Sequence, residues 1–197
     1  MDALILAGGR ARRMGGQTKA LLSLGGRSFI ELILGTVTPL VDTVILSTNE
    51  PEAYRHLNLL TVTDDEEGKG PLMGILAGLR ASGADSCFVA AADAPLLQKS
   101  LVLAIAAASA LENDVTVPTW EGKLEPLCAL YSRNCIPAIE KTIDQGRVIS
   151  FYPLVRVCRM PEEEVRAADP QGLSFFNVNS PGDLARLRLL VGDSQPI

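Results

Sequence analysis

Residues 3–22 read ALILAGGRARRMGGQTKALL, and they combine an apolar run with a loop rich in glycine and positive charge. Residues 3–7 are continuously apolar, which is typical of a strand covered on both faces of a parallel sheet. The loop that follows contains four glycines, three arginines and one lysine. Glycine lets backbone N–H groups approach an anion, and the cations supply the opposite charge. The stretch therefore predicts a buried first strand that leads into a phosphate-binding loop.

Strand-like and helix-like patterns alternate through the first 118 residues. Apolar, β-branched runs that predict strands recur at 42–48, 59–63, 86–92 and 114–118. Helical patterns lie between them at 28–40, in a short segment after residue 48, from Pro71 to residue 82, and at 101–111. The later residues predict helices at 135–146 and 180–191, the second capped by Ser180, and a strand at 154–160. This alternation predicts an α/β fold with a doubly wound, mostly parallel sheet.

The composition restricts the class of protein. With 197 residues, of which 47% are hydrophobic and 21% charged, the chain resembles one ordinary globular domain. Its net charge of −5 argues against non-specific nucleic-acid binding, because such surfaces are normally basic. Residues 101–111 are about half the length that a membrane-spanning helix needs, so we expect no membrane association. We expect no signal peptide, because no charged region followed by an apolar stretch precedes the first strand. The cysteines and the single histidine lack zinc-site spacing, so we expect a cytoplasmic protein with free thiols.

Candidate site residues follow the strands, because ligands of open parallel sheets bind outside the carboxyl ends of the strands. The chemically active side chains and glycines that follow the predicted strands are Gly8, Gly9, Arg10, Arg12, Arg13, Lys19, Ser47, Asn49, Asp64, Asp65 and Asp93. Arginine and lysine can neutralise charge on a transferred phosphoryl or nucleotidyl group. Asp93 is a suitable ligand for Mg²⁺, which usually joins one or two carboxylates to substrate phosphates. Together these residues predict a nucleotide-binding site. Its loop is of neither standard type, because the sequence matches neither the P-loop pattern nor the dinucleotide-binding pattern.

Each candidate also has a structural interpretation. Gly15 and Gly16 could form a turn, and the arginines a solvated face. Asp64 and Asp93 could be helix N-caps, and Asn177 and Asn179 turn residues, which is the interpretation we prefer for Asn179. We expect His56 on the surface, and Cys128 and Cys135 buried in the core as small apolar side chains.

Five ordered blocks resemble a known enzyme family. They are LILAGGRARRMGGQTKALLSLGGR (4–27), GKGPLMGILAGL (68–79), AADAPLL (91–97), EPLCALYSR (125–133) and FFNVNSPGDL (175–184). The first three are similar to nucleotidyltransferase motifs, and the last is similar to F-x-N-V-N-T-P-x-D-L of the molybdenum cofactor guanylyltransferases, the MobA family. The resemblance implies a single Rossmann-like, three-layer domain over residues 1–197, with nucleotide-binding residues to about 118 and acceptor-binding residues from about 119.

The resemblance also implies an activity, the transfer of GMP from GTP to molybdopterin with release of pyrophosphate. Position by position, it implies that GTP contacts Leu6, Ala7, Gly8, Lys19, Asp64 and Asp93. Arg13, Lys19 and Asp93 would be catalytic, and Asp93 would hold Mg²⁺. The family further implies transient contact with other molybdenum cofactor biosynthesis proteins or with molybdoenzymes.

Three positions depart from the family pattern. Thr18 stands where Asp or Asn usually precedes the lysine, Ala91 replaces a common cysteine, and Cys128 stands where histidine is frequent. We expect activity to survive, because the Thr18 hydroxyl can bond the loop backbone. The alternatives are a transferase that uses CTP on molybdopterin or a nucleotide on a sugar or polyol phosphate, and a nucleotide-binding domain without catalysis.

Overall fold

The computed structural model describes residues 1–8, 18–63, 70–109 and 112–192. Its strands are β1 (Asp2–Leu6), β2 (Ser23–Leu24), β3 (Arg27–Ser28), β4 (Val44–Ser47), β5 (Leu60–Val62), β6 (Ser86–Ala91), β7 (Val115–Trp120), β8 (Lys123–Leu124), β9 (Cys128–Ser132) and β10 (Val157–Met160). Its α-helices are α1 (Phe29–Val37), α2 (Pro71–Ala81), α3 (Lys99–Ala108), α4 (Ile136–Thr142), α5 (Glu162–Ala168) and α6 (Pro181–Val191). None of these described helices is both long and apolar enough to cross a bilayer.

The central sheet has the order β10-β7-β9-β6-β1-β4-β5, with β8 paired to the end of β7. The pairs β10–β7, β6–β1, β1–β4 and β4–β5 are parallel, whereas β9 runs antiparallel to both β6 and β7, and β8 runs antiparallel to β7. The short connection through β8 accounts for this direction, since a parallel return would need a longer crossover. The mostly parallel sheet predicted from the sequence is confirmed, and β9 adds an antiparallel strand that the sequence patterns had not indicated.

Helices cover both faces of the sheet and give three layers. β1 is fully buried, and its side chains alternate between the layers: Ala3 and Ile5 pack with α1, α3 and α5, while Leu4 and Leu6 pack with α2 and α4. This two-sided burial explains why the first strand is a continuous apolar run. The described residues form one α/β domain of the predicted class.

Capping sequences determine where α1 and α6 begin. The Ser28 hydroxyl accepts the Glu31 N–H, and the Glu31 carboxylate accepts the Ser28 N–H at 2.7 Å. Ser180 and Asp183 form the same reciprocal pair at the start of α6, which confirms the predicted cap at Ser180. Such a capping box satisfies backbone donors that the first helical turn leaves open.

Some predicted boundaries differ from the structure. The helix expected at 101–111 begins at Lys99, and the strand expected at 154–160 begins at Val157. Leu154 instead ends the 3-10 helix Val148–Leu154, and the strand begins at Val157, where pairing with Val115 of β7 starts. The short helix predicted between the second and third strands is the 3-10 segment Pro51–Leu57.

Gly78 is required where α2 lies against β1. A Cβ added there would overlap the methyl groups of Leu4, which is fully buried. We expect Gly78→Val to lower the free energy of unfolding by about 1–3 kcal/mol through overpacking, measured by urea denaturation. Gly83→Ala is the control, because a Cβ at Gly83 meets open space; its change should stay within about 0.5 kcal/mol. Equal changes for the two variants would contradict the close contact between α2 and β1.

Candidate functional site

The carboxyl ends of β1 and β6 meet where the strand order reverses. From β1 the sheet continues to β4 on one side and to β6 on the other. The pairing extends past the strand ends, because the Ala7 N–H donates to the Ser47 carbonyl at 2.8 Å and the Ala92 N–H donates to the Leu6 carbonyl at 3.0 Å. Leu6 is buried, Ala7 partly exposed and Gly8 exposed, so the chain emerges beside the turn that holds Asp93. Four of the predicted site residues therefore lie at one switch point, which is where such sheets bind ligands.

Asp93 is a partly buried carboxylate at the end of β6. Its backbone carbonyl accepts the Val178 N–H at 2.9 Å. This hydrogen bond links the backbone of Asp93 to the segment before α6. Burial raises the pKa of Asp93, and the nearby Lys19 ammonium opposes that shift. The next helix, α3, begins only at Lys99, with Gln98 at its cap position. The interpretation of Asp93 as a helix N-cap is therefore wrong.

Lys19 joins the first loop to the last helix. It lies in the 3-10 turn Lys19–Leu21, and its Nζ donates to Oδ1 of Asn179 at 2.7 Å. The same Nζ lies 3.9 Å from Oδ2 of Asp93, and the Lys19 side chain is only 16% exposed. Two oxygen acceptors thus orient a largely buried cation at the switch point.

Asn179 is a site residue that the preferred sequence interpretation missed. Its backbone N–H donates to Asp183 at 3.0 Å, as expected for a residue before a capped helix, but its side chain contacts Lys19. The turn interpretation therefore describes the backbone and is wrong for the side chain. The FFNVNSPGDL block marked the segment, but no local pattern indicates a partner 160 positions away.

In the part of the chain that the structure describes, the Thr18 hydroxyl bonds the side chain of Glu50. Its Oγ1 donates to Oε2 of Glu50 at 3.1 Å, in the segment after β4. Because residues 9–17 of the loop lie outside the described residues, the expected bond between this hydroxyl and the loop backbone stays a prediction. The contact nevertheless places a carboxylate beside residue 18, where the family pattern has an acidic or amide side chain.

Six predicted site residues lie outside the described residues, namely Gly9, Arg10, Arg12, Arg13, Asp64 and Asp65. Other sequence interpretations fall on the described part and are confirmed. His56 is exposed, and Cys128 and Cys135 are buried and free. Burial raises the pKa of both thiols, that of Cys135 to about 12, which keeps them protonated and unreactive.

A cavity of about 340 Å³ opens beside Asp93 and Asn179. Its remaining walls come from the end of β6, the β8–β9 connection with the start of β9, the 3-10 helix Val148–Leu154 and the segment before α6, namely Ala91, Ala94, Glu125, Pro126, Leu127, Cys128, Val148, Ser174, Phe175 and Asn177. Mixed apolar and polar walls of this kind, at a volume of a few hundred Å³, are typical of small-molecule sites. The cavity lies on the β9 side of Asp93, opposite β4 and β5.

A larger depression of about 560 Å³ lies elsewhere, at the surface around Tyr152, Val155 and Arg159. Its described lining is otherwise apolar and includes no carboxylate. Because it contains neither Lys19 nor Asp93, its size does not make it the better candidate for phosphate chemistry.

The side chains at the switch point suit a metal ion that is coordinated mainly by substrate phosphates and water. Within the described ranges, no three His, Cys, Asp or Glu side chains come together as a metal-binding group. Asp93 supplies a single, partly exposed carboxylate. Mg²⁺ usually takes one or two protein carboxylates and completes its shell with water and substrate phosphates. Asp93 therefore fits a Mg²⁺ ion that arrives with a nucleotide.

Comparisons with known proteins point to one family. Residues 3–158 match the family model of the MobA-like NTP transferase domain. A molybdenum cofactor guanylyltransferase of Desulfosudis oleivorans is 38% identical over 94% of this chain and 95% of its own. A probable molybdenum cofactor guanylyltransferase of Pelotomaculum thermopropionicum is 41% identical over 98% and 94% of the two chains. The crystal structure of molybdopterin-guanine dinucleotide biosynthesis protein A from Archaeoglobus fulgidus superposes with a TM-score of 0.81 at 28% identity, covering 98% of this chain and 99% of that one.

Asn179→Ala tests whether the contact with Lys19 matters for nucleotide binding. The variant should weaken the affinity for GTP about tenfold, since it removes a hydrogen bond to a charged group that is oriented for the ligand. Calorimetric titration measures the affinity, and Asn134→Ala, at an exposed position beyond the far end of β9, is the matched control. The thermal midpoint should change by no more than about 2 °C. An unchanged GTP affinity would show that Asn179 has only its backbone role.

Proposed function

The chain belongs to the MobA-like NTP transferase family, and from this premise we propose that it transfers GMP from GTP to molybdopterin. The products would be molybdopterin guanine dinucleotide and pyrophosphate. The observation that carries the proposal is the placement of Lys19 beside Asp93 at the switch point, with their charged atoms 3.9 Å apart. The names of the two relatives, which match nearly the whole chain, support guanine as the base and molybdopterin as the acceptor.

The loop after β1 would receive the nucleotide. The Ala7 N–H already donates to Ser47 and the Leu6 carbonyl already accepts from Ala92, so these groups set the position of the chain. Gly8, the exposed residue that follows, is the first backbone position free of a side chain, and it suits close approach to a phosphate. We assign Leu6 and Ala7 to the wall of the GTP site and Gly8 to its phosphates. Arg13 and Asp64 are assigned to GTP by the family resemblance.

Lys19 would act on the charge that develops during transfer. A phosphate oxygen of molybdopterin forms a bond to the α-phosphorus of GTP, and the bond from that phosphorus to the pyrophosphate oxygen breaks. Negative charge accumulates on the α-phosphate and on the departing pyrophosphate, where an oriented ammonium group stabilises it. Because the attacking phosphate is already ionised at neutral pH, the reaction requires no general base. His56, exposed and far along the chain, is assigned no role.

Asp93 would hold the Mg²⁺ of the nucleotide. The metal, when bound, would neutralise phosphate charge. The Asp93 carboxylate is suited to this because Lys19 contacts it at 3.9 Å, which leaves its other oxygen available for a metal. The backbone bond from Val178 keeps the carboxylate at the strand end.

The two substrates would occupy opposite sides of Asp93. Residues to about 118 supply β1, β4 and β5, whose ends lie on the nucleotide side. Residues from about 119 supply the β8–β9 connection and the segment before α6, which line the cavity on the other side. We propose this cavity as the acceptor site.

A comparison of nucleotides tests the assignment of the base. With molybdopterin and Mg²⁺ present, pyrophosphate release should be at least about tenfold faster in kcat/KM with GTP than with CTP or ATP, since a base-specific pocket discriminates by a kilocalorie or more. A coupled pyrophosphate assay measures it. Equal or faster release with CTP would refute guanylyl transfer, and tight GTP binding without any release would favour a domain that binds nucleotide without catalysis.

Asp93→Asn tests the role of the carboxylate. We expect kcat to fall by about 10²–10³-fold, because an amide cannot replace the charge that binds the metal. Asp85→Asn is the matched control, since Asp85 is exposed at the opposite end of the same strand. It should retain wild-type rates in the same assay. Comparable losses in both variants, or retained activity in Asp93→Asn, would contradict the assignment.

A further inference from the structure

Glu125 is a carboxylate in the cavity wall that receives no hydrogen bond from any described residue. It lies in the connection between β8 and β9, where its N–H donates to the Pro118 carbonyl at 3.0 Å and its carbonyl accepts the Cys128 N–H at 3.1 Å. These backbone bonds fix its position. Within the described part of the chain, no residue donates a hydrogen bond to its carboxylate or forms an ion pair with it, although the residue is half-buried.

The environment of Glu125 favours a ligand with hydrogen-bond donors. Burial raises the pKa of this carboxyl, and Lys123 opposes the shift only in part. A desolvated carboxylate without donors is costly, and a ligand that supplies N–H groups recovers that cost. Ser174, Asn177 and Asn179 share the wall and carry side-chain donors, but none of them donates a hydrogen bond to the Glu125 carboxylate in the described structure.

Phe175 adds a fixed aromatic surface to the same cavity. Its ring lies 5.4 Å from the Trp120 ring, and the Arg166 guanidinium covers Trp120 at 4.2 Å. Gly172 lies so close to Trp120 that a Cβ would overlap the indole, and the Phe175 N–H donates to the Gly172 carbonyl at 3.0 Å. This stack holds Phe175 against the cavity beside Leu127 and Val148. A flat heterocycle is the shape that such walls favour.

We propose that Glu125 recognises the 2-amino-4-oxopyrimidine edge of the acceptor's pterin, while Phe175 packs against the ring. This edge presents an exocyclic N–H and a ring N–H side by side, and the two oxygens of a carboxylate can accept both. The inference rests on the proposed function, because it takes molybdopterin as the occupant of the cavity.

Guanine presents the same hydrogen-bonding edge as the pterin. The position of Glu125 therefore decides whether it would contact the guanine of GTP or the pterin of the acceptor. The cavity lies between the end of β6, the start of β9 and the segment before α6. The nucleotide side, formed by β1, β4 and β5, lies across Asp93 from it. This placement assigns Glu125 to the pterin.

Steady-state kinetics of Glu125→Gln distinguish recognition of the acceptor's pterin from recognition of the guanine of GTP. Gln keeps the size of the side chain but turns an N–H₂ group toward the ligand's donors, so KM for molybdopterin should rise at least about tenfold. KM for GTP should stay within about twofold. Glu121→Gln, the same charge change at an exposed position of the neighbouring turn, should leave both KM values unchanged. A rise in KM for GTP alone, or no rise in either, would overturn the proposal.

Binding of simple pteridines tests the contact without turnover. Pterin has the 2-amino group, and lumazine has an oxygen in its place. In equilibrium dialysis with the full chain, the wild type should bind pterin at least about tenfold more tightly than lumazine. Glu125→Gln should lose or reverse this preference, because its amide can donate to the lumazine oxygen. A misfolded variant would lose both ligands and could not reverse the preference.

The two tests also distinguish this inference from the proposed function. Selective pterin binding that depends on Glu125, in a protein that releases no pyrophosphate, would support the recognition and refute the transfer. Normal transfer with unchanged pteridine preference in Glu125→Gln would support the transfer and overturn the recognition.

Discussion

The hydrogen bond between Lys19 and Asn179 is the interaction on which the arrangement of the site depends. It connects the first loop of the chain to the start of the last helix, and it holds the ammonium group within 3.9 Å of Asp93. Asn179 can accept this bond because the Ser180–Asp183 cap fixes the start of α6, and Val178 is tied to the Asp93 carbonyl. A local capping sequence therefore positions a cation that comes from the other end of the chain.

The strand order determines which residues surround this interaction at the edge of the sheet. Since β1 and β6 are adjacent and the order reverses between them, Gly8 and Asp93 emerge at one edge without any long-range side-chain contact. On the other side of Asp93, the antiparallel strand β9 and the connection before it place Cys128 and Glu125 in the wall of the cavity. In the proposed function, one carboxylate forms the boundary between the two substrates. Partial burial of Lys19 and Asp93 strengthens their fields relative to exposed charges.

The features of the fold that could be predicted from the sequence are those determined by residues close together in the chain. The buried first strand, the helix at Pro71 and the cap at Ser180 each follow from a few neighbouring residues, and all three are confirmed. β9 had no such signal, because its direction depends on the short connection from β7. The Asn179 side chain was missed for a similar reason, since its partner is distant in sequence. The roles of Arg13 and Asp64 stay predictions, because both lie outside the described residues.

A double-mutant cycle tests the central claim, that Lys19 and Asn179 act as one unit in nucleotidyl transfer. The measured quantity is kcat/KM for GTP, with molybdopterin and Mg²⁺, in the wild type, Lys19→Ala, Asn179→Ala and the double variant. If Asn179 acts by orienting Lys19, the double variant should fall within about twofold of Lys19→Ala alone. If the two single losses multiply in the double variant, the residues act independently and the account is contradicted.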